Sequence, residues 1–144
     1  EKISNIIKHL IKNKIPVMGH IGLLPQTTKR FKVKGRSLIE KKKILRDAIV
    51  ISNSGVFAIV IECVVESLAK IITKNVPIPT IGIGASKFCD GQILVIDDML
   101  GLGDSAPKFV KKYANLNKVM KASVKNYVKD VKERRFPNLK NVYK

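Results

Sequence analysis

The sequence predicts an α/β protein built around a parallel sheet, on three observations. Short unbroken apolar runs recur along the chain, helix-patterned segments separate them, and each run ends on glycine or a polar residue. A strand inside a parallel sheet is covered on both faces, so it reads as continuously apolar rather than alternating. Strands that alternate with helices join through right-handed crossovers, which leaves a doubly wound sheet or a barrel.

Residues 2–13 place Ile3, Ile6, Ile7, Leu10 and Ile11 on one helical face. Ile15–Met18 reads as the first strand, followed by Gly19-His20-Ile21-Gly22. A long polar stretch from Pro25 to Ser37 leads to a second helix over 38–54, with Leu38, Ile44, Leu45 and Ile49 at helical spacing and Gly55 as its stop. Val56–Ile61 is too short for a buried helix and too continuous for a half-exposed strand, so it reads as a strand buried on both faces. A third helix over 65–74 passes through Pro77 and Pro79 to the run Thr80–Gly84, and a fourth run spans Gln92–Ile96. Pro107–Ala114 and Leu116 to about Arg135 read as two C-terminal helices. The second sets Leu116, Val119, Met120, Val124, Tyr127, Val128 and Val131 against a lysine face, and Phe136-Pro137 ends it.

Apolar residues at 45% and charged residues at 27% are the composition of a globular protein. The 144 residues suit one compact domain, whereas a complete (β/α)8 barrel needs roughly 250. The first residue is Glu1 rather than Met and opens directly into a helical pattern, so the N-terminal boundary reads as a cut. No apolar run reaches the roughly 18 residues of a membrane span, and no signal peptide is present, which predicts a cytoplasmic protein with no membrane partner. Cys63 and Cys89 stand far apart with no CxxC companion, which argues against a disulfide framework or a zinc site.

The net charge of +17 invites a nucleic-acid reading. Its distribution opposes one. Residues 1–46 hold 13 basic and 2 acidic side chains, residues 105–144 hold 12 and 2, and residues 47–104 hold 3 and 7, so the middle is net negative. The excess is mostly lysine around helical segments, and aromatics are only 6%, whereas nucleic-acid footprints cluster arginine and stacking rings. The expectation is no nucleic-acid partner.

In either parallel fold the chemistry sits at the C-terminal ends of the strands. Glu62 follows six apolar strand residues, where a carboxylate is costly to bury unless it is paired or kept to accept a proton. It suits a general base; the plainer alternative is a partnered core carboxylate or a cap for the helix beginning near Val65. His20 suits an acid, a base or an oxyanion partner, against a satisfied structural donor. Gly82–Ser86 lacks the third glycine of a dinucleotide fingerprint and the Lys-Ser/Thr of a P-loop, so a tight turn is the better reading. Asp97 and Asp98 offer hard oxygen ligands, but adjacent residues on an extended chain point to opposite sides. Within the loop from Pro25 to Ser37, Lys29, Arg30, Lys32, Lys34 and Arg36 either bind an anionic substrate tail or are simply solvated.

Pro16-Val17-Met18-Gly19-His20-Ile21-Gly22-Leu23-Leu24-Pro25-Gln26, Phe31-Lys32-Val33-Lys34-Gly35-Arg36, Glu62-Cys63-Val64, Ile78-Pro79-Thr80-Ile81-Gly82-Ile83-Gly84-Ala85, Cys89-Asp90-Gly91-Gln92-Ile93-Leu94-Val95 and Asp98-Met99-Leu100-Gly101-Leu102 occur in an order and spacing that resembles the ketopantoate hydroxymethyltransferase family. Pro107–Leu116 and Phe136-Pro137 extend the resemblance along essentially the whole chain, which corresponds to the second part of the family's length. The resemblance implies a (β/α)8 TIM barrel in which this chain supplies about strands five to eight. Residues 1–104 would form the half-barrel and 105–144 the C-terminal helices.

It further implies transfer of a hydroxymethyl group from the co-substrate 5,10-methylenetetrahydrofolate to 3-methyl-2-oxobutanoate, giving 2-dehydropantoate, the first step of pantothenate biosynthesis. The family's enolate is stabilised by magnesium held by two aspartates. Those aspartates, with a lysine and a glutamate of the fourth strand, belong to segments that would precede Glu1, so no metal ligand is expected here. Glu62 aligns with the family's general base, and His20 matches a histidine near the active site, implying a substrate-binding role. Asp97 stands where a histidine is usual. A homo-oligomer, a decamer, is implied. Another magnesium-dependent 2-oxo acid lyase of the aldolase type keeps the fold and changes the chemistry, and a basic nucleic-acid-binding module is the rival from another class.

Overall fold

In a computed structural model the described residues are 2–26 and 32–143, and they divide into two compact units, 1–93 and 94–144. The first unit runs α1 (Lys2–Lys12), β1 (Met18–Gly22), α2 (Leu38–Asn53), β2 (Ala58–Glu62), α3 (Glu66–Asn75), β3 (Thr80–Ile83) and β4 (Gly91–Gln92). Its four strands form one sheet in the order β1-β2-β3-β4, every neighbouring pair parallel. The α/β class with a parallel sheet is therefore as the sequence predicts.

The register fixes two faces, because residues paired across parallel strands point the same way and successive residues alternate. Ile21, Ile59 and Ile61 face the helices, where they pack with Ile44 and Ala48 of α2 and Leu68, Ala69 and Ile72 of α3 in one buried cluster. Gly19 shares that face. A Cβ there would lie 2.6 Å from the Ile51 side chain, so only glycine lets α2 approach so closely. The opposite face carries Met18 beside Ala58, His20 beside Val60 and Ile81, and Gly22 beside Glu62 and Ile83. Here burial is incomplete, and Met18 is 47% exposed.

The α2 start is written in the sequence. Ser37 is the N-cap, its hydroxyl accepting from the Glu40 N–H at 3.2 Å, while Glu40 Oε2 accepts from the N–H groups of Gly35 and Arg36. Ser37 thus caps the helix, while Glu40 accepts from the two residues before the cap rather than from the cap itself, which ties the end of the basic loop to the first turn of α2. Ser37→Ala is expected to lower stability by about 1 kcal/mol, read from the urea midpoint.

Four expectations are corrected. The first strand begins at Met18, not Ile15, because Pro16 has no N–H to donate to a ladder and pairing starts with Met18 against Ala58. The fourth run does not form a buried strand. Only Gly91 and Gln92 pair, against Ile81 and Gly82, and β4 is a sheet edge, so Ile93 stays half-exposed; Val95 and Ile96 are the N-cap and first residue of a short helix instead and are exposed as well. The second run, Val56–Ile61, is not buried on both faces: β2 starts at Ala58, Phe57 is exposed and Val60 is half-buried, because α2 and α3 cover one face of the sheet alone. The first expected C-terminal helix, over 107–114, is a turn closed by Val110 N–H to Pro107 O.

The second unit holds α4 (Ile96–Leu100) and α5 (Leu116–Lys132). Asn117 links them, its Nδ2 donating to Leu102 O and Asp104 Oδ1. The apolar stripe of α5 is present in sequence but uncovered: Val119, Met120, Val124, Tyr127, Val128 and Val131 are all exposed. Among the described residues no helix is long and apolar enough to cross a membrane.

Candidate active site

The C-terminal ends of β1 and β2 are laced together by backbone hydrogen bonds. Leu23 N–H donates to Glu62 O at 2.9 Å, Cys63 N–H to Ile83 O at 2.9 Å, and Lys34 N–H to Cys63 O at 2.7 Å, with Val65 N–H returning to Lys34 O. Lys34 and Val64 thereby form a single parallel bridge. Cys63, immediately after the candidate base, is held at φ 50°. That left-handed conformation is uncommon for a residue with a Cβ and is retained only where surrounding contacts over-determine it.

Glu62 ends β2 on the face away from the helices, and His20 stands on the same face of β1. The Glu62 side chain is 12% exposed and that of His20 is 30% exposed, with His20 Nε2 3.2 Å from Glu62 Oε2. The approach is short enough for an ion pair but too oblique for a hydrogen bond. Nε2, shut off from solvent, has no hydrogen-bond partner among the described residues. Gly22 is the register partner of Glu62 and has φ +96°; a Cβ there would fall 2.2 Å from the Glu62 carbonyl oxygen. Glycine at 22 thus lets the end of β1 lie close against the main chain of Glu62 and the side chain of Val64.

Cys63 lies beside this pair. Burial pushes its thiol above the usual range, and the neighbouring Glu62 carboxylate pushes it further, so it stays protonated at neutral pH and is a poor nucleophile.

The other candidates do not join the pair. Gly82 is within β3, and the segment after it closes on Ser86, whose Oγ donates to Glu66 Oε1 and accepts from Phe88 N–H and whose carbonyl accepts from Gln92 Nε2. It is the tight turn expected. Asp97 and Asp98 are not at a strand end: both lie in the first turn of α4, where carboxylates suit the positive end of the helix dipole. Of the basic loop, Lys29 and Arg30 lie outside the described residues, Lys32 and Arg36 are exposed, and Lys34 is half-buried through its backbone bridge. Among the described residues no three His, Cys, Asp or Glu side chains converge to hold a metal ion.

One polar contact was not legible in the sequence. Asp90 Oδ2 accepts from both the N–H and the hydroxyl of fully buried Thr80, at 2.8 and 2.9 Å. These bonds hold its carboxyl below the usual carboxylate value of 3.8. A lowered native pKa contributes stability above the unfolded value that is lost as pH falls through the native one. Unfolding midpoints are thus expected to fall below about pH 4, and Asp90→Asn to reduce stability at pH 7 and flatten that acid limb.

A model of the family described as ketopantoate hydroxymethyltransferase matches residues 1–139. The chain belongs to this family. Among curated relatives, the 3-methyl-2-oxobutanoate hydroxymethyltransferase of Pelagibacter ubique is 53% identical over 143 residues, covering 99% of this chain and 56% of the relative. Those of Pseudothermotoga lettingae and Bartonella tribocorum are each 51% identical over 145 residues, covering 98% and 99% of this chain and 55% and 54% of their own lengths. The chain thus spans about half the length of the ketopantoate hydroxymethyltransferases it matches.

Proposed function

We propose that this chain forms the C-terminal half of a (β/α)8 barrel, about strands five to eight, of an enzyme that makes 2-dehydropantoate from 3-methyl-2-oxobutanoate with 5,10-methylenetetrahydrofolate as one-carbon donor. The sheet order supports the barrel. A doubly wound sheet reverses its strand order at a switch point, whereas β1 to β4 follow one another without reversal. The face carrying His20 and Glu62 is then the barrel interior, and both lie toward the strand ends where barrel enzymes hold their chemistry.

The single observation that carries the reaction is Glu62: a largely buried carboxylate whose one ionisable side-chain neighbour at pairing distance, among the described residues, is His20. In the proposed reaction Glu62 takes the proton from C3 of the oxo acid. The electron pair of the broken C–H bond passes into the enolate and then into the new C–C bond to the methylene carbon; both C–N bonds of that carbon break, water supplies the hydroxyl group, and the two nitrogens of the departing tetrahydrofolate take up one proton from water and the one removed by Glu62. The magnesium ion implied by the resemblance finds no ligand set among the described residues. We place its ligands in the part of the family's length outside this chain, and no step here runs through it. A cytoplasmic homo-oligomer, a decamer, is part of the same proposal. The test is formation of 2-dehydropantoate by a protein of the relatives' full length that carries this sequence, compared with its Glu62→Gln variant.

A further inference from the structure

We infer that His20 is a positioning residue for Glu62: its Nε2 engages Oε2 of the carboxylate and leaves Oε1 as the oxygen that accepts the substrate proton. The inference rests on the general-base reading of Glu62 and adds a division of labour between its two oxygens. It departs from the substrate-binding role that the family resemblance implies for His20.

Three observations carry it. The two side chains share the interior face of adjacent strands but are not register partners, since His20 pairs with Val60 and Glu62 with Gly22. Their contact is therefore a diagonal reach from one strand to the next. Next, His20 Nε2 is cut off from solvent, has no hydrogen-bond acceptor among the described residues, and lies 3.2 Å from Oε2. A buried polar nitrogen without a partner is costly, and a small rotation of either side chain would satisfy this one with the acceptor already beside it. Catalytic hydrogen bonds are often poorly aligned before substrate binds and tighten in the complex. Finally, the main chain on both sides of the pair is fixed by the Leu23–Glu62 and Cys63–Ile83 hydrogen bonds, so only the carboxylate torsions remain to be set. A donor on one oxygen sets them.

The readout is exchange of the C3 proton of 3-methyl-2-oxobutanoate with D2O, followed by NMR without the one-carbon donor, in a protein of the relatives' full length carrying this sequence. His20→Ala is expected to slow exchange at saturating substrate by about 100-fold, the scale of misplacing a reacting group by an ångström, with KM nearly unchanged. His20→Gln, whose amide N–H reaches a similar distance, is expected to recover at least about a tenth of the parent rate, while the shorter His20→Asn stays slow. A raised KM with the saturating rate preserved would show that His20 touches substrate and overturn the inference, as would a His20→Gln protein that folds normally yet exchanges no faster than His20→Asn. If His20→Ala does not fold, the Gln and Asn pair decides. A folded parent without exchange, or full exchange in Glu62→Gln, overturns the reading of Glu62 itself; a parent that exchanges through Glu62 but is indifferent to His20 overturns only the present inference.

Discussion

Glu62→Gln, in a protein of the relatives' full length carrying this sequence, is expected to lower the rate of 2-dehydropantoate formation by about 10² to 10⁴-fold, the range over which a positioned general base acts. Glutamine keeps the length of the side chain between the register partners Gly22 and Ile83 but gives up the basic oxygen, so the loss should fall on kcat and leave KM close to the parent value. Exchange of the C3 proton should fall by a similar factor, because it isolates the step that Glu62 performs. Retention of exchange with loss of product would mean that another group takes the proton and that Glu62 serves the one-carbon transfer instead. A folded parent that makes no 2-dehydropantoate would turn attention to other metal-dependent enzymes that form or break a C–C bond beside a 2-oxo acid enolate.

Glu62 was legible because a charge directly after six apolar residues contradicts the local pattern, and such contradictions mark either a paired core group or a working one. The pair with His20 was not. The two residues are 42 positions apart, and only the register of β1 on β2 brings them to the same face. The left-handed backbone at Cys63 left no trace either, since cysteine does not advertise that conformation as glycine does.

The same physics explains the uneven outcome among the strands. Ala58–Ile61 sits between two neighbouring strands with α2 and α3 on one face, so Ala58, Ile59 and Ile61 are buried, while Val60 on the other face is only half-buried and Phe57 before the strand is exposed. Ile93–Ile96 carries an equally apolar run, yet β4 has a neighbour on one side alone and Ile93 after it remains half-exposed. An apolar run reports that a surface is to be covered; it does not say by which part of the protein. The stripe on α5 from Val119 to Val131 makes the same point, its helical spacing correctly read and its apolar residues uncovered.

The chain expressed alone, as these 144 residues, is expected to aggregate and to form no 2-dehydropantoate. Parallel strands leave unpaired N–H and C=O groups wherever a sheet stops, and here both β1 and β4 are edges. The sheet face that carries Met18, Val60 and Ile81 is only partly covered, and Phe57 and Ile93 beside the strands are about half exposed. A barrel buries such a face by packing it against the interior side chains of its other strands. Without them, edge pairing between copies satisfies the backbone and buries the apolar face in one step. Light scattering and binding of a hydrophobic dye should therefore both rise with concentration for the isolated chain. Co-expression with the N-terminal half of a curated relative, such as that of Pelagibacter ubique, should suppress both and restore product formation that still depends on Glu62. An isolated chain that stays monomeric, binds no dye and turns over substrate would show that the interior face is closed in another way, and the half-barrel reading would fall with it.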